Sequence, residues 1–570
     1  MAQQVKAEIN IGGKTLEHFT HLQIDQYLYT HHTFEIAVPF EVLESKDDFF
    51  FKSSHSSMVG KPASIKFKPI YKNVNADFQF SGIVTELTLV NNSDMTNSFI
   101  IRGDSPTVQA EDGRQRRAWV EKDLTTIVND VLAPYSFEKS VNLNFKGKID
   151  YKAQYDESNW DFLCRICHEY GEWCYFTGTK LIVGKAPQKT EPFVADGVQH
   201  FSMSIGVKPN QVEMMHYNYK KHERYSGKGG AVGGLGTFGD FAYGASSAVF
   251  GNAALKWPLR DVQSKGELDS AIDAANKSNA TDLVNFAGYG ENPNLAVGVV
   301  VDVTAQKLEK PNVFKQESAG KYRINHITHT VDEVGNYGNS FKAVPFSVEA
   351  PPVNPYVEMP AALPEIATVK QNADPLQLGR VKLEFHWPNQ LAAKSSWVRV
   401  AFPYTGSDRG SLFIPEIDDQ VVVSYEANHV DFPIVVGSIY HKSAATNYWF
   451  PNNEQKIIRT KGGNKIVMKD KAGQQEFFIT NANNKKVGLH IAFQGDGKIE
   501  VYAENGEIEL RARNIKLHAK ETIELRAQHI DMHATDKAKL SATNSTKIDS
   551  LTTDVNGSMV NVKGSMVKIN

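Results

Sequence analysis

Near its C-terminus the chain repeats one short alternation of apolar and polar residues. Ile499-Glu500-Val501-Tyr502-Ala503 returns as Ile508-Glu509-Leu510-Arg511-Ala512, Ile515-Lys516-Leu517-His518-Ala519, Ile523-Glu524-Leu525-Arg526-Ala527 and Ile530-Asp531-Met532-His533-Ala534. Ala538-Lys539-Leu540-Ser541-Ala542 continues the series. The first, third and fifth positions are apolar and the others polar, the period of a strand with one buried face. The apolar spacing of three and four that a helix needs is absent. The units recur about every seven to nine residues, which leaves room for one five-residue strand and a tight corner.

A strand that short buries too little surface to offset the entropy of ordering it, so the units must stack. Corners turn successive strands onto successive faces of a prism, with Ile499, Val501, Ile508, Leu510, Ile515, Leu517, Ile523, Leu525, Ile530, Met532 and Leu540 facing its axis. One chain could wind all three faces, or three chains could each supply one strand to each face. The long, slightly irregular units favour three chains, a homotrimeric, intertwined triple-stranded β-helix over 457–570. About nine layers of roughly 4.8 Å make a shaft on the order of 45 Å. In the last units, Val555-Asn556-Gly557-Ser558-Met559 and Val562-Lys563-Gly564-Ser565-Met566, glycine takes the inward third position, which predicts a taper.

The same alternation marks Gly379 to Trp387, Trp397 to Ala401, Gln420 to Tyr425 and Pro433 to Tyr440. These strands predict a small closed OB-like barrel over 376–441. A proline-rich linker, 351–375, precedes it, and a short connector, 442–456, follows it. Residues 1–350 carry mostly strand signals, such as Thr33 to Val38, and three helices. One is capped by Asp123 and runs through Ile127, Val128 and Val131; another spans about Asp156 to Tyr170; a third lies between Leu268 and Phe286. Glycine dominates 227–251, which predicts a flexible insertion. The fold class is therefore mainly β.

Composition narrows the functional classes. A formal net charge of −3 over 570 residues gives no global field for nucleic acid or an anionic membrane. The N-terminal segment lacks the apolar stretch of a signal peptide and no stretch reaches a membrane span, so a cytoplasmic start without stable membrane insertion is expected. Three clustered cysteines do not make a disulfide framework.

Gln154-Tyr155-Asp156-Glu157-Ser158-Asn159-Trp160-Asp161-Phe162-Leu163, continuing through Arg165-Ile166 to Glu169-Tyr170-Gly171, resembles the central signature of the VgrG spike proteins of type VI secretion systems. Tyr337 to Phe341, closing on Pro345, resembles their last hub strand, and Gly379 to Lys382, Phe385 to Trp387, Trp397 to Val400, Phe413 to Pro415 and Pro433 to Gly437 resemble their OB-fold domain. The resemblance implies a phage-tail-hub-like domain of two β-barrels with inserted helices over 1–350. It implies a trimer that sits on the Hcp-type hexameric tube, meets baseplate proteins, carries secreted effectors and is injected into a target cell. It also implies a PAAR-type tip protein docked at Val567, Lys568, Ile569 and Asn570. A spike of a phage-like or extracellular injection particle is the alternative.

Chemical motifs add little. Cys164-Arg165-Ile166-Cys167-His168 has the letters of a haem-attachment site, and Cys164, Cys167, His168 and Cys174 are a secondary candidate for zinc. Two cysteines packed on a hub helix account for the same residues. Gly234 to Gly239 fits a dinucleotide fingerprint in letters only, since no parallel βαβ unit surrounds it. No Gly-x-Ser-x-Gly or His-Glu-x-x-His motif is present, and the connector is too short for an inserted enzyme, so no catalytic residue, cofactor or enzymatic activity is expected. Arg380, Lys382, Arg399, Phe385 and Trp387 could make the barrel a single-strand nucleic-acid platform, but Glu384, Glu416, Asp418 and Asp419 balance their charge. The chain stops at Asn570, so no fused toxin is expected.

Overall fold

The computed structural model describes residues 4–45, 48, 50–70, 78–91, 97–311, 313–388 and 393–569. It divides into two compact units, Met1–Thr446 and Asn447–Asn570.

In the first unit, alternating strands assemble around two apolar cores. His21–Tyr27 and Thr33–Pro39 each bury every second residue, Leu22 and Ile24 on one and Phe34, Ile36 and Val38 on the other. With Pro62–Pro69, Phe78–Asn91 and Asn97–Asp104 they enclose a first core that includes Ile65, Phe67, Phe80, Phe99 and Ile101. A second core, around Phe193, Phe286, Val301, Val303, Ile324 and Phe341, lies among later strands. One sheet, 13-stranded among the described residues, runs through both. Its hinge is the long strand Val313–Asp332, which pairs antiparallel with Val300–Lys310, Tyr337–Pro345 and His21–Tyr27. One continuous ladder thus runs through both cores.

Two of the expected helices form close to where they were placed. Leu124–Leu132 follows Asp123, whose side chain accepts from the Thr126 amide. The signature helix is Asn159–Tyr170, capped by Ser158, because Asp156 adopts φ 54° and the preceding strand continues to Glu157. It ends at Gly171 with φ 68°, a left-handed position where glycine costs least. The third, Lys265–Ala280, stops short of Phe286, which lies in the strand Val284–Gly290.

Two boundaries shift. The glycine-rich 227–251 segment is not a simple loop, since it contains the helix Gly236–Val249. Its inner face, Ala242 and Tyr243, packs with Val232, Leu235, Leu283 and Val348, and that burial offsets the low helix propensity of its glycines. The linker is also shorter than its prolines suggest, because Glu365–Gln371 is already a barrel strand. That strand joins Val381–Phe385, Lys394–Val400, Pro433–Ile439 and Gln420–Tyr425 in a closed five-stranded barrel filled by Val369, Leu383, Phe385, Val421 and Val435.

In the second unit, Gln455–Arg459, Asn464–Lys469, Glu476–Asn481, Val487–Ala492 and Lys498–Ala503 form an antiparallel meander. This first part of the expected shaft, or needle, is thus paired within one chain rather than intertwined, since tight turns such as the one at Gly463 join neighbouring strands. Residues 504–569 are exposed and form no strand. No described helix is long and apolar enough to cross a membrane.

Replacing Ser158 with alanine removes the hydroxyl that accepts from the Asp161 amide at 3.0 Å. The expected cost is about 1 kcal/mol of stability, read as a lower denaturant midpoint with an unchanged slope.

Candidate functional site

The signature strand Lys148–Glu157 has two destinations. Tyr151, Ala153 and Tyr155 point into the core of the OB-like barrel, where Tyr155 makes edge contacts with Trp387 and Tyr425. Lys152, between them, points to the hub helix and is 1% exposed. Its ammonium donates to Glu169 Oε2 and to Asp431 Oδ2, both at 2.6 Å. Asp431 lies in the turn just before the last barrel strand, Pro433–Ile439, and its other oxygen accepts from the Ala153 amide at 2.9 Å. Arg165 completes the cluster. It holds Glu157 through two parallel hydrogen bonds of 2.6 and 2.8 Å, reaches Glu169 at 2.6 Å, and donates to the Ala153 carbonyl at 2.7 Å.

Five charges are therefore buried where hub and barrel meet, with side chains at most 8% exposed. Burial works against the Lys152 ammonium, but the Asp431 and Glu169 carboxylates outweigh it and raise its pKa. Burial likewise works against the Asp431 carboxylate, which Lys152, His429 and Arg165 hold below the usual range. For Glu157 burial wins over Arg165 and the pKa rises. Such a cluster is strong only while complete, because removing one partner strands a desolvated charge.

The secondary metal candidate does not assemble. Cys164, Cys167 and Cys174 pack in an apolar core with Phe162, Leu163 and Phe176. Cys174 and burial push the Cys164 thiol well up, and Cys167 is raised as well. No group of three His, Cys, Asp or Glu side chains among the described residues, His168 included, is arranged to hold a metal ion. The nucleic-acid platform fails on burial. Phe385 and Trp387 stack on each other at 4.5 Å inside the barrel, and Arg380 is 3% exposed and bound to Asp374 by two hydrogen bonds of 2.7 and 2.9 Å.

The needle has a site of a different kind. In the meander, Ile458, Ile466, Ile479, Leu489 and Val501 lie opposite one another in one row, and Met468, Phe477, Ile491 and Ile499 in the next row on that face. The other face carries Lys469, Glu476, His490 and Glu500 around Ile457, Val467 and Phe478. On the first face Ile458, Met468, Ile479, Ile499 and Val501 are exposed, Ile499 by 72%, while Ile466, Phe477, Leu489 and Ile491 are half-buried. Beyond it Ile508, Leu510, Ile515, Leu517, Ile523, Leu525, Ile530, Met532 and Leu540 are 50–83% exposed. Val567 and Ile569 are exposed too, Lys568 is exposed beside them, and Asn570 lies outside the described residues.

Residues 32–335, more than half of the chain, match the family model of the phage tail baseplate hub. The chain belongs to this hub family. Residues 365–440 match the type VI secretion system/phage-baseplate injector OB domain, which coincides with the closed barrel. Among relatives, the hub is 23% identical to the type VI secretion system spike protein VgrG1c of Pseudomonas aeruginosa over 62% of this chain and 52% of that protein. It is 34% identical to VgrG1b of the same organism over 20% of this chain and 17% of that protein. The matches thus span about half or less of these relatives. A 28% identical stretch covers 29% of this chain and 15% of the actin cross-linking toxin VgrG1 of Vibrio cholerae. The structure of a Francisella PdpA–VgrG complex, in its lidded form, shares the fold with a TM-score of 0.55 and 10% identity, over 88% of this chain and 80% of that one.

Lys152→Met strands Asp431 and part of Glu169, and is expected to cost about 3–5 kcal/mol in the stability of the first unit, measured by denaturant unfolding of the full chain. The pH dependence follows from Asp431. Its folded pKa lies below the unfolded value of about 3.9, so its stabilisation is present above that pH and is lost as pH falls through the folded value. Glu157, shifted upwards, offsets part of this loss. The stability difference between the native chain and Asp431→Asn, read from thermal unfolding, is therefore expected to be largest near neutrality and to shrink below about pH 4.

Proposed function

We propose that this hub is one subunit of a homotrimeric spike at the tip of a type VI secretion apparatus, with a mechanical rather than a catalytic role. The apolar face of the five-stranded meander carries the proposal. Nine apolar side chains share one face of the sheet, with Lys456 beside Met468 as a charged residue on that face, and so large an apolar patch marks an interaction surface. Three such sheets turned to a common axis bury all three faces and abolish their exposed surface. The extended repeats that follow acquire partners in the same way, each inward Ile, Leu or Met meeting its equivalents from two other chains. Closing the prism removes lateral strand edges that would otherwise recruit further chains.

In this reading the hub rests on an Hcp-type hexameric tube and contacts baseplate proteins. The segment Val567, Lys568, Ile569 and Asn570 seats a PAAR-type tip, and effectors travel with the spike into the target cell. The buried charge cluster keeps barrel and hub from shearing while load is transmitted. The OB-domain match is described for phage baseplates as well, so a phage-like or extracellular injection particle is the second reading. Neighbouring genes for a membrane-anchored complex, or for tail fibres, decide between the two.

Native mass is the direct test: three times the 63.4 kDa chain is expected, and a stable single chain would defeat the proposal. Leu489→Asp and Leu525→Asp each place three carboxylates on the axis. Both variants are expected to lose the trimer in native mass spectrometry while the first unit keeps its thermal transition.

A further inference from the structure

The wall of the OB-like barrel is broken on both sides of one residue, Leu383. On one neighbouring strand, Glu365–Gln371, the register passes from Val369 opposite Leu383 to Gln371 opposite Lys382, so Lys370 is an extra residue. On the other, Lys394–Val400, it passes from Trp397 opposite Lys382 to Lys394 opposite Glu384, which again leaves one residue too many. The Leu383 amide takes a side-chain acceptor there in place of a backbone one, donating to the Ser395 hydroxyl at 2.8 Å. A bulge bends its strand and interrupts the ladder, and beside these two lies a cavity of about 360 Å³.

The cavity is bounded on its far side by the hub strand Gln115–Asp123, which contributes Val120. Its floor is apolar, with Leu383 buried and Val120 half-buried. Its rim is cationic, with Lys370, Lys382 and Lys394 set against the one carboxylate of Glu384. Lys370 is answered, 3.8 Å from Glu384 and 3.5 Å from Asp418. Lys382 and Lys394 are not, since among the described residues neither is paired with a carboxylate. Lys382 is half-buried and held 5.2 Å over the Trp397 ring, and Lys394 projects from the next strand on the same face of the sheet.

This combination selects a ligand by chemistry. An ammonium donates and cannot accept, and two without a carboxylate partner repel a metal ion or an amine. An inorganic anion alone leaves the apolar floor facing water. The volume lies in the range of small-ligand sites, which occur among other places at the mouths of barrels. We propose that the cavity binds a small organic carboxylate, its apolar body against Val120 and Leu383 and its charge between the Lys382 and Lys394 ammoniums. The proposal stands apart from the spike reading, because every lining residue belongs to one chain. A ligand seated there touches hub strand and barrel together, so its binding also stabilises the first unit.

Octanoate is the probe, titrated into the full chain by calorimetry at low ionic strength. Saturable binding is expected, with a rise in the thermal transition of the first unit. Lys382→Gln combined with Lys394→Gln is expected to weaken that binding about tenfold, and Val120→Phe, which fills the floor, to weaken it as much with both ammoniums in place. Lys382→Arg with Lys394→Arg keeps the charge and is expected to keep the binding. Absence of saturable binding to the native chain, or undiminished binding by the glutamine double variant, overturns the site. Two further arms use the native chain and hold whatever the substitutions do to folding. Octylamine, with the same body and the opposite charge, is expected not to bind, and acetate, with the charge and no body, to bind at least tenfold more weakly. Binding of octylamine as tight as that of octanoate overturns the role of the lysines, and acetate as tight overturns that of the floor.

Discussion

Lys152 and Arg165 are cations sealed where two domains meet, and their desolvation makes every neighbouring position matter. Each must be answered by a carboxylate, and the three answers come from different places: Glu157 at the end of a strand, Glu169 on a helix, and Asp431 in the barrel. The geometry is satisfied only if strand, helix and barrel are all in register. A hydrophobic contact tolerates a small slide between domains, whereas a buried charge network does not. The local bulge at Asp156 follows from the same demand, since it turns Glu157 back towards Arg165 after Tyr155 has entered the barrel.

The needle obeys the opposite logic. Its polar residues are already in water and its apolar residues have nowhere to go within one chain. Antiparallel pairing joins the first five strands but leaves apolar residues such as Ile458, Ile479, Ile499 and Val501 exposed on one face. Beyond Ala503 the described residues join no strand. Hub and barrel bury cores of their own, whereas the second unit leaves much of its apolar surface exposed.

Much of the fold was legible in the sequence because strand alternation and helix capping are local. The barrel strands, the Asp123 cap and the helix ending at Gly171 stand close to where the pattern puts them. Other features were not. The glycine-rich segment reads as a loop by propensity, and its helix exists because Ala242 and Tyr243 find a core supplied by Leu283 and Val348. Phe385 and Trp387 read equally well as a stacking platform or as core, and only the closed barrel places them inside. Asp431 carried one faint signal, a lone acid in the apolar run Val430-Asp431-Phe432-Pro433-Ile434. Its partner lies 279 residues away, beyond the reach of any periodicity.

By itself the sequence determined which residues must be buried: a period of two commits alternate side chains to one face, whatever that face meets. Tertiary structure decided what they meet. It turned the first needle repeats into a meander within one chain, put Lys152 on the hub side of a strand whose neighbours enter the barrel, and set Lys382 and Lys394 around a cavity where both neighbours of one barrel strand bulge. The physical reason is range, since alternation, capping and turn chemistry act over a few residues, whereas burial and charge pairing depend on segments brought together from hundreds of residues apart.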